Sequence, residues 1–234
     1  ADGSAHIAVH SLKAVPMDMP PGFALACILE REDPRDAWVS PHYDRLESLP
    51  QGAVVGTSSL RRTVLLHALR PDLKIEPLRG NLDTRLRKLD EGQYAGIVLA
   101  TAGLKRLGLS ERIRHSFDLA KMMPAAGQGA IGIEICADRP DLAQILSPLN
   151  DTPTAIAVYA ERGVSRTMGG SCSMPLAAHA TLSGNELTLR AAWGDPEGET
   201  TLVTAQTKGQ VKDLAQAEAL GLQIAEELRR GGAH

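Results

Sequence analysis

Between Ala53 and Ala100 the sequence switches repeatedly between two hydrophobic periods, and that alternation limits the fold more than any other feature. Ala53-Val-Val-Gly56 is a short apolar run, and Thr57-Ser58-Ser59 offers side-chain oxygens suited to a helix start. Leu60, Val64, Leu65, Ala68 and Leu69 then recur at helical spacing until Pro71 stops them. Leu73–Leu78 predicts a second strand. Asn81 can cap a second helix with Leu82, Leu86 and Leu89 on one face and Gly92 at its end, and Ala95–Ala100 predicts a third strand. Strands and helices alternating through such short connections imply an open α/β sheet with right-handed crossovers. Ligands of such sheets sit at the carboxyl ends of strands, where helix N-termini point free N–H groups outward.

Charge is concentrated in the same stretch. Residues 56–106 carry a net charge of +5 and the remainder −8, within a total of −3. A basic segment in an acidic chain predicts a local anionic ligand. Aromatic residues make up only 3% of the chain, too few for base-stacking platforms, so no nucleic-acid partner is expected. Arg61 and Arg62 follow the first strand, Arg79 the second, and Lys105-Arg106 the third; Arg85 lies one turn into the second helix. Guanidinium forks grip carboxylates and phosphates bidentately, so arginines converging from strand ends imply a polycarboxylate or phosphate ligand. Arg70, Arg87 and Lys88 read instead as solvated helix surface. Ser58 and Ser59 lack a nucleophile-elbow setting and read as cap and ligand hydroxyls. Ala126-Gly-Gln-Gly-Ala130 lacks both the dinucleotide fingerprint and the Walker lysine. The seven histidines and three cysteines show no metal-ligand spacing, so no metal is expected.

At 234 residues the chain has room for two modest domains or one large one. His6–His10 and Phe23–Leu29 predict strands, and the charged run Glu30–Asp36 predicts a domain crossing. A strand so near Ala1 needs partners, so a further N-terminal segment is expected. Met122–Glu134 reads as a glycine-rich loop entering a buried strand, returning the chain to its first domain. Helical patterns follow at Asp138–Leu149 and Thr154–Met168, then antiparallel strands at Leu176–Leu182, Leu187–Trp193 and Thr200–Thr207, and an amphipathic helix at Val211–Arg230. This tail predicts a small α+β domain. Cys27 and Cys136 lie in apolar runs and read as buried hydrophobes. Cys172 differs, because Gly169-Gly-Ser-Cys-Ser-Met-Pro175 is a polar turn that exposes its thiol to chemistry. An odd cysteine count without framework spacing, no visible signal peptide, and no apolar run near the roughly 20 residues of a membrane span predict a cytoplasmic protein without a membrane partner.

Seven motifs occur in order: His10-Ser-Leu-Lys13, Glu30-Arg-Glu-Asp-Pro-Arg-Asp36, Val55-Gly-Thr-Ser-Ser-Leu-Arg-Arg62, Leu78-Arg-Gly-Asn81, Ala102-Gly-Leu-Lys-Arg-Leu-Gly108, Ala125-Ala-Gly-Gln-Gly129 and Gly169-Gly-Ser-Cys172. Together they closely resemble the porphobilinogen deaminases, or hydroxymethylbilane synthases, of bacterial type. The resemblance implies an enzyme of haem biosynthesis, a transferase that joins four porphobilinogen units head to tail, with loss of ammonia, into a linear tetrapyrrole. It also implies a dipyrromethane cofactor held by a thioether to Cys172. Ser11, Lys13, Thr57, Ser59, Arg61, Arg62, Arg79, Arg85 and Arg106 match family positions that bind cofactor and substrate carboxylates, and Gln128 matches a position lining the same cleft. The implied fold has two periplasmic-binding-protein-like α/β domains flanking that cleft. The first, incomplete here, comprises 1–30 and 124–147, and the second comprises 31–123. A third, α+β domain at 148–234 carries the cysteine. A monomer acting on a small molecule is expected.

One departure from the family pattern bears on catalysis. The family motif reads His-Ser-x-Lys-Asp-Val-Pro, and its aspartate hydrogen-bonds pyrrole N–H groups and balances the cation formed as ammonia leaves. Here Lys13 is followed by Ala14. A methyl group neither accepts those hydrogen bonds nor balances charge, and general acid–base help alone is worth about 10²–10⁴-fold. A family member impaired in elongation is therefore expected, with Lys13 as the remaining functional group at that point. The alternative expectation is a non-catalytic homologue that binds a polycarboxylate pyrrole ligand without turnover.

Overall fold

The computed structural model describes residues 3–170, 173–198 and 201–234. Three sheets organise these residues. Strands β1 (Ile7–Ser11) and β2 (Phe23–Ile28) flank a strand from much later in the chain, β8 (Ile131–Cys136), in an antiparallel sheet of order β1-β8-β2. Between them the chain builds a five-stranded sheet from β3 (Asp36–Val39), β4 (Val54–Gly56), β5 (Lys74–Glu76), β6 (Gly96–Ala100) and β7 (His115–Ser116), in the order β5-β4-β6-β3-β7. Strands β4, β5 and β6 run parallel, whereas β3 is antiparallel to β6 and β7. Helices α1 (Leu60–Leu69), α2 (Leu82–Asp90) and α3 (Thr101–Arg106) each follow one of the parallel strands.

The helix starts are chemically specified. Ser59 accepts the N–H of Arg62 at the head of α1, and Asn81 accepts that of Thr84 at the head of α2. Each cap satisfies a donor that the first helical turn leaves free. Trp38, fully buried, fills the layer between sheet and helices with Val55, Leu65, Leu66 and Val98, while Leu86, Leu89, Ile97 and Leu104 fill the other side.

After β8 come α4 (Pro140–Leu146) and the long α5 (Thr152–Met168), capped by Asp151. Strands β9 (Leu176–Ser183), β10 (Glu186–Trp193) and β11 (Val203–Gln210) form an antiparallel sheet of order β11-β10-β9, and α6 (Leu214–Arg230) closes the chain. Helices α5 and α6 pack on one face of this sheet around Val164, Leu187, Leu189, Trp193, Ile224 and Leu228. Their approach is very close: a Cβ on Gly221 would lie 2.4 Å from the Ala160 carbonyl oxygen, so only glycine permits it. Leu12, Val15, Ile28 and Ala130 bury themselves against Ala155 and Val158 of α5, joining the first sheet to the C-terminal unit.

The α/β class is as expected, with several differences of detail. Strand β5 spans only Lys74–Glu76, shorter than the Leu73–Leu78 run, and β11 begins at Val203 rather than Thr200. Strand β3 starts at Asp36, the last residue of the charged run Glu30–Asp36, and that charge is fully buried by partners distant in sequence. Cys27 is buried, but Cys136 is only partly so. Arg70 is not free helix surface, because it pairs with Asp72 and donates to the carbonyls of Leu46 and Leu49, fastening that turn.

Candidate active site

A cavity of about 350 Å³ opens where the three sheets meet. Its walls come from the turn after β1 (Lys13, Ala14, Met17), from the β4–α1 turn and α1 itself (Thr57, Ser58, Ser59, Arg61, Arg62), from Arg85 of α2, from Ala125, Ala126 and Gln128 of the glycine-rich loop, and from Ser165, Met174 and Leu176 of the C-terminal unit. The strand-end position expected for Thr57–Arg62 thus faces a cavity.

The two adjacent arginines are held from behind by one carboxylate. Asp36 accepts from Arg61 Nη1 at 2.8 Å and from Arg62 Nη2 at 2.8 Å and Nε at 3.2 Å. Gln128 Nε2 donates to the same carboxylate at 3.0 Å and to the Pro34 carbonyl at 2.7 Å, while Gln128 Oε1 accepts from Arg61 Nη2. Arg61 also donates to the Met123 carbonyl and Arg62 to that of Val98. Burial alone would raise the Asp36 carboxyl, but Arg61 and Arg62 outweigh it and hold it well below the usual carboxylate range. Most guanidinium donors here are spent on the protein itself. Arg61 Nε is the exception, buried and without a hydrogen-bond partner.

Lys13 presents the opposite situation. No hydrogen bond or ion pair reaches it among the described residues. Burial, reinforced by the nearby charge of Arg62, lowers its ammonium to about 8, and the Asp36 charge only partly offsets this. Arg85 donates through Nε to the Gly80 carbonyl, which leaves its two terminal nitrogens unused, and burial beside Arg62 lowers it too. Ser58 is consumed locally, exchanging hydrogen bonds with both backbone groups of Leu78. A site with unpaired cations and a helix N-terminus has donors to spare, and anionic oxygens satisfy them.

A second buried carboxylate anchors the glycine-rich loop. Glu161 of α5 accepts from Arg31 Nη1 at 2.6 Å and Nη2 at 3.0 Å, from the Gly127 N–H at 2.7 Å and from the Ala180 N–H at 2.8 Å. Arg31 Nε in turn donates to the Gln128 carbonyl. Burial opposes the Glu161 charge, yet Arg31 and His179 bring its carboxyl down to about 2. Gly129 ends the loop at φ +89°, where a Cβ would meet the Glu32 carbonyl at 2.5 Å. On the far side, Arg162 Nη2 donates to the Pro16 carbonyl at 2.6 Å, and Arg166 Nη2 to that of Met17 at 2.7 Å. One helix therefore fixes both the glycine-rich loop and the turn that follows Ala14.

Of the residues singled out by sequence, Lys13, Ala14, Thr57, Ser59, Arg61, Arg62, Arg85 and Gln128 share this cavity. Ser11 and Arg79 are exposed outside its lining, and Arg106 donates to the Gly129 carbonyl at 2.8 Å. Cys172 lies outside the described residues; on either side of it, the Gly170 N–H bonds to the Ser165 carbonyl and Met174 lines the cavity. Sequence reasoning missed Asp36, Glu161, Arg31, Arg162 and Arg166. A signal existed for two of them, since Glu161 and Arg162 interrupt the small apolar residues Ala155–Ala160 of a buried helix, where an unpaired charge is untenable.

The cavity's residues fit a pyrrole polycarboxylate: the unspent donors suit acetate and propionate groups, and Met17, Ala126, Met174 and Leu176 offer apolar wall to a ring. Comparison with known proteins agrees. Residues 1–144 match the family model described as porphobilinogen deaminase, dipyromethane cofactor binding domain, and residues 155–230 match the porphobilinogen deaminase C-terminal domain. A porphobilinogen deaminase from Albidiferax ferrireducens is 67% identical over 228 residues, covering 97% of this chain and 72% of the relative. One from Burkholderia thailandensis is 58% identical over 233 residues, covering 100% of this chain and 70% of the relative. Among solved structures, a periplasmic substrate-binding protein of an ABC transporter from Coxiella burnetii superposes with a TM-score of 0.44 at 17% identity, over 69% of this chain and 77% of that one, too loosely to carry an argument. On the matched models and the identity to these relatives, this chain belongs to the porphobilinogen deaminase family.

Proposed function

We propose that this chain is a hydroxymethylbilane synthase, a transferase that condenses four porphobilinogen units head to tail with release of ammonia in tetrapyrrole synthesis. The observation that carries the reading is the cleft itself, where Lys13 and Arg85 keep unspent charge beside the Arg61–Asp36–Arg62 cluster. Each pyrrole bears two carboxylates, so a growing chain gathers anionic charge that such a cleft neutralises. A dipyrromethane tethered at Cys172 supplies, when bound, the pyrrole terminus from which the chain extends.

The residues of this chain divide the remaining work. Lys13 and Arg85 bind carboxylates, while Thr57, Ser59 and the α1 N-terminus orient them. Asp36 and Gln128 hold the paired arginines in place, and Glu161 with Arg31 holds the loop that carries Gln128. Ser11, Arg79 and Arg106 serve as outer contacts for a lengthening chain. Ala14 provides no carboxylate where the pyrrole nitrogens would sit, which slows ammonia release. The three sheets support a division into domains at 1–30 with 124–147, 31–123 and 148–234. No helix among the described residues is long and apolar enough to cross a membrane, and we assign a cytoplasmic monomer without nucleic-acid or membrane partners.

Intact-mass and peptide mapping after incubation with porphobilinogen test the assignment. One dipyrromethane increment on the Cys172 peptide, absent from Cys172→Ser, is the expected result. An unmodified Cys172 peptide would overturn it.

A further inference from the structure

Ala192 of β10 and Gly194, one residue past its end, lie on the same side of the C-terminal sheet, because successive strand residues alternate. Ala177 of β9 stands directly opposite Ala192. Trp193 turns the other way, into the core beneath α5 and α6. The small residues meet α1 instead, with Ala177 and Ala192 buried in one apolar layer with Val64, Leu65 and Leu66. The approach is tightest at Gly194, where a Cβ would lie 2.5 Å from Val64 Cβ and 2.6 Å from its Cγ2. Val64 is β-branched and stiff at χ1, so only a shift of α1 or of the chain at Gly194 would relieve that clash.

Gly194 has a second tie. Its N–H donates at 3.1 Å to the carbonyl of Pro175, a residue close after Cys172 in the chain. Met174 and Leu176, on either side of Pro175, line the cleft. Val64 stands one helical turn after Arg61, a spacing that makes the two neighbours on the α1 surface. One backbone position therefore touches both the helix that presents Arg61 and Arg62 and the segment that follows Cys172. We propose that Gly194 is a positioning residue that sets the spacing between these two parts of the site. Lacking a side chain, it lets α1 seat directly on the C-terminal sheet and brings the arginines within reach of a pyrrole chain tethered at Cys172. This inference rests on the reading of the cleft as the site of tetrapyrrole assembly.

Three variants test it. Gly194→Ala inserts the excluded carbon, and Gly194→Ala/Val64→Gly removes the carbon it would strike. Gly231→Ala makes a comparable clash, 2.5 Å from Val203 Cγ1, in the same C-terminal unit but outside the cleft lining. The first readout needs no substrate: an ¹⁵Nζ NMR titration of Lys13, whose ammonium is lowered by burial and then by Arg62, with Asp36, Arg61 and Arg85 also acting on it. Displacing α1 in Gly194→Ala should raise the Lys13 midpoint from about 8 toward 10.5. The second readout is the rate at which the Cys172 peptide gains a dipyrromethane from porphobilinogen, which should fall by about 10²-fold, the scale of a displacement of about 1 Å. The double variant should return both toward the parent, while Gly231→Ala should lower the urea midpoint and move neither. An unmoved Lys13 or unchanged loading in Gly194→Ala, a double variant that stays shifted, or a Gly231→Ala that moves Lys13 equally would each overturn the proposal. Should Gly194→Ala not fold, the Lys13 midpoint of the double variant decides. A parent that never loads Cys172 refutes the pyrrole reading alone, and the Lys13 midpoints still decide the positioning.

Discussion

Asp36 Oδ2 accepts the Arg61 Nη1–H at 2.8 Å, with the two side chains 0% and 4% exposed. The pair is a support for the cleft, since Asp36 sets where both Arg61 and Arg62 stand. Removing one partner of a buried ion pair strands the other, which costs about 3–5 kcal/mol. Asp36→Asn should therefore destabilise the fold by that order in urea denaturation, and an unchanged midpoint would remove Asp36 from its supporting role.

Glu161 predicts an acid-sensitive component of stability. Its carboxyl is lowered from an ordinary 4.5 to about 2, against burial, by Arg31 and His179. The folded state holds that charge more tightly than the unfolded one, so its stabilisation is complete above about 4.5 and is lost as pH falls toward 2. Unfolding free energies measured between pH 6 and pH 2 should fall less steeply for Glu161→Gln, which should also be the weaker protein at pH 6. Parallel slopes would contradict the assignment.

Lys13 predicts a rise of the same sign at alkaline pH, but from a group whose charge destabilises the fold at neutral pH. Burial, then Arg62, lowers its ammonium from 10.5 to about 8, so between those values the unfolded chain binds more protons and stability rises with pH. Below 8 the buried charge is a standing cost, retained for ligand binding. Lys13→Met should be more stable than the parent at pH 7, lose the alkaline rise, and bind porphobilinogen more weakly, as read by thermal shift with and without that ligand.

Gly129 tests the loop geometry. At φ +89° with a Cβ position 2.5 Å from the Glu32 carbonyl, Gly129→Ala combines backbone strain of about 1–3 kcal/mol with a backbone clash. Lower stability is expected together with weaker porphobilinogen binding, because Gln128 beside it would shift. Loss of stability with ligand affinity intact would separate the loop from the cleft.

The elements around the cleft were legible because they are local. Ser59 and Asn81 announce α1 and α2, and the strand-end placement of Arg61 and Arg62 follows from sheet topology alone. What those arginines do with their donors was not legible. Asp36 is 25 residues from Arg61, and Gln128 is 67 residues away, so the network is a product of tertiary packing. The same holds for β3, whose leading aspartate looks solvated until its partners arrive, and for Glu161, joined to Arg31 across 130 residues. Arg106 donates to the Gly129 carbonyl, 23 residues away, a partner that its place after β6 does not announce.

We propose that this cleft keeps cations for substrate carboxylates while Ala14 stands where the family resemblance implies a catalytic carboxylate. The direct measurement is the rate of ammonia release from porphobilinogen by this chain and by Ala14→Asp under identical conditions. Restoring one acid–base group at the reacting centre should raise that rate by about 10²–10⁴-fold. Equal rates for the two proteins would contradict the account.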